Sequence, residues 1–150
     1  MTRICFLLIV SFLCPVSLAM AEPGVGAEIQ ALIQSGQLSA LHWSRFSDVS
    51  KGLARLYGET PLKALWSKDQ QPTPQALTMV AAFKEADAAG LIPEDYDAAL
   101  LQRWSQEAKA GFKDVSAEAA YDVALSVAAL RFASNLHVGR INPRSVGFDL

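Results

Sequence analysis

Residues 117–139, AEAAYDVALSVAALRFASNLHVG, constrain the fold more than any other stretch. Tyr121, Ala124, Leu125, Ala128 and Phe132 recur at helical spacing. Asp114 or Ser116 can start the helix. Its many alanines shorten the distance between axes, so other helices can pack closely against it. A chain organised around such a segment reads as all-α.

Shorter periodic segments lie upstream. Ile29, Leu32 and Ile33 give residues 25–35 an apolar face, and Gly36 stops that helix. His42, Trp43 and Phe46 then suit a connector tucked against the body. In residues 48–57 Asp48 can cap a helix, Leu53, Leu56 and Tyr57 can line one face, and Gly58 can end it. Gly52 weakens that helix. If the next segment is extended, Leu62, Ala64 and Trp66 share a side, with Leu65 breaking the alternation. The Trp66 indole N–H needs a partner if it is anchored in the core. DQQPTP reads as a loop. Thr73 caps the following helix, with Pro74 at its first position and Gly90 as its stop. Leu77, Val80, Ala81 and Ala88 form its expected inner face. Pro93, Glu94 and Asp95 mark another start, with Leu100, Leu101 and Trp104 inward and Gly111 at the end. The expected fold is an all-α, compact, bundle-like domain of about five or six helices. There is no internal repeat or coiled-coil heptad.

The N-terminus reads as a secretory signal peptide covering residues 1–21. Arg3 supplies a short positive start, residues 4–14 are almost all apolar, and Ala19-Met20-Ala21 is an A-x-A cleavage pattern. The apolar core is shorter than the roughly 20 residues of a bilayer span. No stable membrane span is expected after cleavage. Both cysteines, Cys5 and Cys14, lie in this leader, so the exported part has no disulfide, thiolate metal site or cysteine nucleophile. Of thirteen basic residues one leaves with the leader, while all fifteen acidic residues stay. A mildly negative domain without a basic patch is not a nucleic-acid binder.

The remaining sequence holds no catalytic constellation. His42 and His137 lack the spacing of a helical metal site, and no phosphate-cradling glycine loop or G-x-S-x-G elbow is present. No cofactor, metal or catalytic residue is assigned. Glu94, Asp95 and Asp97 cluster, but a glycosidase holds its two carboxyls roughly 5 to 9.5 Å apart across a substrate. Acids at a helix start are more simply favourable charge at its N-terminus. Arg131 and Asn135 lie four apart on one helix and share a face. Arg140 and Arg144 flank Asn142-Pro143. These four residues can anchor the terminal turn to the domain's own acids and carbonyls, or bind carboxylates through paired hydrogen bonds.

YDVALSVAALRFASNLHVGRINPRSVG resembles the helix and terminal signature of the scaffold domain in the large L,D-transpeptidases of Gram-negative bacteria. The family's R[FY]A..L..GR..P pattern is carried by Arg131, Phe132, Ala133, Leu136, Gly139, Arg140 and Pro143. Two upstream fragments agree in order. PLKALWSKDQQPTPQAL is similar to the family's tryptophan-bearing segment, through Trp66, Thr73 and Pro74. GLIPEDY is similar to its G-L-x-P-x-D-Y element, through Gly90, Leu91, Pro93, Asp95 and Tyr96. The resemblance covers residues 53–147.

The resemblance implies a periplasmic protein concerned with crosslinks between peptide stems of peptidoglycan. In the family a cysteine nucleophile and a histidine act in a separate catalytic domain. Here neither H-G-[ST] nor S-x-G-C-x-R occurs, so this chain is expected to be non-catalytic. The implied organisation is a signal peptide (1–21), a scaffold-like helical domain (22–147) and the start of a truncated linker (148–150). The implied partners are peptidoglycan, whose stems supply carboxylates, or a catalytic transpeptidase domain. The alternatives are an accessory subunit for a separately encoded transpeptidase and an independent wall hydrolase using Glu94, Asp95 or Asp97.

Overall fold

The computed structural model describes residues 24–58 and 62–139. The expected signal peptide and linker, and Arg140 and Arg144, lie outside the described residues. Five α-helices form the body: α1 (Val25–Ser35), α2 (Ser50–Tyr57), α3 (Pro74–Lys84), α4 (Ala98–Glu107) and α5 (Val115–Val138). Short 3-10 turns at Ser47–Val49, Ala86–Ala89, Pro93–Tyr96 and Ala108–Ala110 join them. Among the described residues the fold is all-α apart from a two-residue-per-strand antiparallel hairpin, β1 (Ser67–Lys68) with β2 (Gln71–Pro72), and an isolated bridge between Gln37 and Arg45.

α5 is the axis of the domain. The Asp114 carboxylate accepts the Ala117 N–H at 2.7 Å and caps it. Every residue from Tyr121 to Ala128 is buried. The middle of the helix is therefore enclosed all round, and the helix touches α1, α2, α3 and α4. Small side chains make this close packing possible: Ala124 is 0% and Ala128 2% exposed. Gly52 has the same cause. A β-carbon there would lie 3.0 Å from Leu130 Cδ1, so a glycine lets α2 approach α5. In α1, a β-carbon on Gly26 would collide with the Leu62 carbonyl.

Helix starts and stops follow the sequence in part: α3 ends at Lys84 and α4 at Glu107, and Gly90 and Gly111 close the 3-10 turns beyond them. Gly36 takes the left-handed conformation after α1, at φ 66°. Thr73 caps α3 by accepting the Ala76 N–H at 3.2 Å, with Pro74 in the first turn. Several faces differ from expectation. Leu77 is 46% exposed, and Ala81 and Ala88 are exposed too. The inner face of α3 is Ala76, Val80 and Phe83, spaced i, i+4, i+7. Phe83 sets that register by packing against Tyr96 and Phe132, at ring centroid distances of 5.9 and 5.3 Å. Alanines suit either side of a helix and pointed to the wrong stripe. In α2, Leu53 and Tyr57 are buried but Leu56 is 40% exposed. Asp48 caps no helix, because its carboxylate is taken by Arg131. In the connector, Phe46 and the neighbouring Leu41 are buried, whereas His42 and Trp43 are exposed.

The expected DQQPTP loop holds the turn and the second strand of the hairpin. Asp69 and Gln70 both have positive φ, 52° and 60°, as a two-residue type I′ turn requires. The Gln70 carbonyl accepts the Phe112 N–H at 2.8 Å, which fastens the hairpin beside the end of α4.

Candidate functional site

A buried polar relay joins α5, α2 and the extended segment before the hairpin. Asp122 and Ser126 lie one turn apart on α5, and both are 0% exposed. Asp122 Oδ2 accepts the Trp66 N–H at 2.7 Å and the Leu65 N–H at 2.9 Å. Its Oδ1 accepts the Tyr57 hydroxyl at 2.6 Å. With that proton committed, Ser126 Oγ donates to the Tyr57 oxygen at 2.9 Å. It also accepts the Trp66 indole N–H at 2.8 Å. Every donor is thus satisfied in sequence, ending on the carboxylate. Burial pushes the Asp122 carboxyl upward, against the donors that hold it down, with the Tyr57 hydroxyl foremost. Burial and the adjacent Asp122 push the Tyr57 hydroxyl up strongly. With Asp122 and Ser126 fully buried, this cluster ties α5 to α2 and to the extended segment. It also resolves the 62–66 segment: Leu62, Ala64 and Trp66 pack on the core while Leu65, held only by its backbone, is 39% exposed. Asp122 and Ser126 were missed in the sequence. A polar pair at i, i+4 inside an apolar helix was the available signal.

The surface-accessible candidate is a hollow of about 450 Å³ between the 36–46 loop, the Pro93–Tyr96 turn and the later part of α5. Trp43, Arg45, Asp48, Asp95, Tyr96, Arg131 and Asn135 line it. Arg131 and Asn135 do share this face. Arg131 Nε and Nη2 donate to Asp48 Oδ2 and Oδ1 at 2.9 and 3.0 Å, a two-pronged pair. Nη2 also donates to the Arg45 carbonyl at 2.8 Å, and Nη1 to the Trp43 carbonyl at 3.4 Å. The Arg131 side chain is only 12% exposed. Its guanidinium holds the Asp48 carboxyl below the usual carboxylate range, outweighing burial. Asn135 Nδ2 donates to the Tyr96 hydroxyl at 2.9 Å. Arg131 thus clamps the loop to α5, and Asn135 ties α5 to the turn.

The three clustered acids divide between two hollows. Asp95 lines the Arg131 hollow, while Glu94 and Asp97 line another of about 400 Å³ with His42 and Lys84. Asp97 accepts the His42 backbone N–H at 2.7 Å. Burial raises its carboxyl, and that N–H opposes the rise. His137 is exposed in the last turn of α5. A third, mostly apolar groove of about 330 Å³ runs between Trp104, Ala108, Phe112 and Ala117, with Glu107 and Lys113 at its sides. Among the described residues no group of three His, Cys, Asp or Glu side chains is placed to hold a metal ion, and no helix is long and apolar enough to cross a membrane.

A family model described as "Scaffold domain" matches residues 51–150. No curated protein and no solved structure matches the chain.

Proposed function

Since the chain belongs to the Scaffold domain family, we propose that it is a periplasmic, non-catalytic scaffold domain of an L,D-transpeptidase-like protein, associated with remodelling of peptidoglycan crosslinks. The observation that carries this reading is the extent of the match. Residues 51–150 take in all three fragments on which the resemblance rests: the Trp66 segment, the Gly90–Tyr96 element and the Arg131–Pro143 pattern. The signal-peptide pattern at residues 1–21 supports export, and the lack of cysteine beyond Cys14 supports a role other than the nucleophilic one.

A second reading, an accessory domain assisting a separately encoded transpeptidase, is favoured by the apolar groove at Trp104 and Phe112. One experiment separates both from an enzyme. Isolated sacculi are incubated with the chain, expressed with its own leader and purified, and muropeptides are resolved by liquid chromatography. The chain alone leaves the profile unchanged. New crosslinks or released fragments would refute a non-catalytic role. Increased crosslinking on adding the chain to an active transpeptidase domain would favour the accessory reading.

A further inference from the structure

The 36–46 loop is held rigidly yet presents two large exposed side chains. Leu38 N–H donates to the Ser44 carbonyl at 2.8 Å, and Phe46 N–H to the Gly36 carbonyl at 3.1 Å. Gln37 and Arg45 form an antiparallel bridge. Leu41 and Phe46 are buried beneath, and Arg131 grips the carbonyls of Trp43 and Arg45. Trp43 is nevertheless 56% exposed. The His42 ring stands perpendicular to its indole at a centroid distance of 4.8 Å, which limits its rotation. Arg45 is exposed, and its guanidinium donates to no described residue. Both residues line the same hollow of about 450 Å³.

A fixed loop that leaves more than half of its largest side chain in solvent is preorganised for a ligand, because ordering costs are met before binding. An indole supplies a wide amphipathic face with little rotamer entropy to lose. Among the described lining residues, two arginines, Arg45 and Arg131, stand with two carboxylates, Asp48 and Asp95. Arg131 is already paired with Asp48 and offers little to an anion. The chemistry therefore suits a neutral, hydroxyl-rich ring better than a peptide carboxylate.

Resting on the wall-associated reading for the source of the ligand, we propose that Trp43 and Arg45 form a saccharide-binding subsite, with Arg131 and Asp48 holding its floor. A sugar ring lays its C–H face on the indole, and its hydroxyl and amide oxygens accept hydrogen bonds from Arg45. The wall would thus be engaged through its glycan strand.

The test titrates the chain with a tetrasaccharide of N-acetylglucosamine, by tryptophan fluorescence and calorimetry, beside co-sedimentation with sacculi. The tetrasaccharide is expected to bind and quench Trp43 emission. Trp43→Ala and Arg45→Ala should each weaken binding about tenfold or more, as loss of an aromatic or arginine hot spot does. Thermal unfolding should not move, and Trp43→Tyr should restore most of the affinity. Sacculus binding without tetrasaccharide binding would overturn the subsite and leave the wall-associated reading standing. Tetrasaccharide binding that survives both alanine substitutions, or a free stem tetrapeptide competing for the site, would overturn it as well. Loss of both sacculus and tetrasaccharide binding in the unaltered chain would overturn subsite and wall-associated reading together.

Discussion

Removing the Asp122 carboxylate should cost more than any other single polar change in the described domain. It is the terminal acceptor for the Leu65 N–H, the Trp66 N–H and the Tyr57 hydroxyl, at 2.6 to 3.1 Å. Each buried donor left without an acceptor costs about 1–3 kcal/mol. The three share one site and will not add fully, so Asp122→Ala should lose about 3–5 kcal/mol. Asp122→Asn should lose only about 1–2 kcal/mol, because one amide oxygen can still serve Leu65 and Trp66. Its NH2 can then donate to the Tyr57 oxygen. Burial already opposes charge at this position, so a neutral side chain forfeits little electrostatic stability. Tyr57→Phe removes the middle of the relay and should fall near the asparagine variant. Equilibrium urea unfolding followed by far-UV circular dichroism reads all three. An Asp122→Ala variant within about 0.5 kcal/mol of the unaltered protein would refute the relay, since surface changes commonly fall in that range. Equal losses for alanine and asparagine would show that charge matters, rather than acceptor geometry.

Arg131→Lys should destabilise by about 1–3 kcal/mol, because a lysine cannot reproduce the fork to Asp48 and the hold on the loop carbonyls. The Asp48 carboxyl is held below its usual 3.8, so its contribution is present above that pH and lost as pH falls through its folded value. The gap between the unaltered protein and Asp48→Asn should therefore close in acid, as read by unfolding midpoints between pH 7 and pH 2. Gly26→Ala should cost about 1–3 kcal/mol, since the new methyl meets the Leu62 backbone carbonyl. Gly52→Ala meets only the end of the Leu130 side chain and should stay within about 1 kcal/mol, its helix propensity offsetting the contact. Gln70→Gly should stabilise by about 0.5 kcal/mol, because φ at this exposed turn position is 60°. Neutralising Glu94, Asp95 and Asp97 together should leave wall turnover unchanged in a muropeptide assay.

Much of the helical plan was legible because its punctuation is local. Gly36, Thr73-Pro74 and Asp114 act through their own backbone geometry and capping chemistry, whereas Gly90 and Gly111 close only the 3-10 turns that follow α3 and α4. Inner faces were less legible where alanine and leucine alternate. Which of Leu77 and Phe83 goes inside depends on rings brought from distant segments, Tyr96 and Phe132. The hairpin was hidden because Asp-Gln lacks the usual Asn-Gly signature of its turn, and the Phe112 contact that fastens it is remote in sequence. At the candidate site, the shared face of Arg131 and Asn135 followed from helical spacing. Its other wall did not. Asp48, expected as a helix cap, and Trp43, expected against the body, reach the hollow only because the 36–46 loop folds back beside α5.

Association with the wall is tested most directly by co-sedimentation of the purified chain with isolated sacculi, with folding confirmed by circular dichroism. Saturable binding to sacculi is expected, reduced by Trp43→Ala with Arg45→Ala in one chain, with no change in the muropeptides. A folded chain that stays in the supernatant would contradict association with the wall, and a chain that binds and alters the muropeptides would contradict a non-catalytic scaffold.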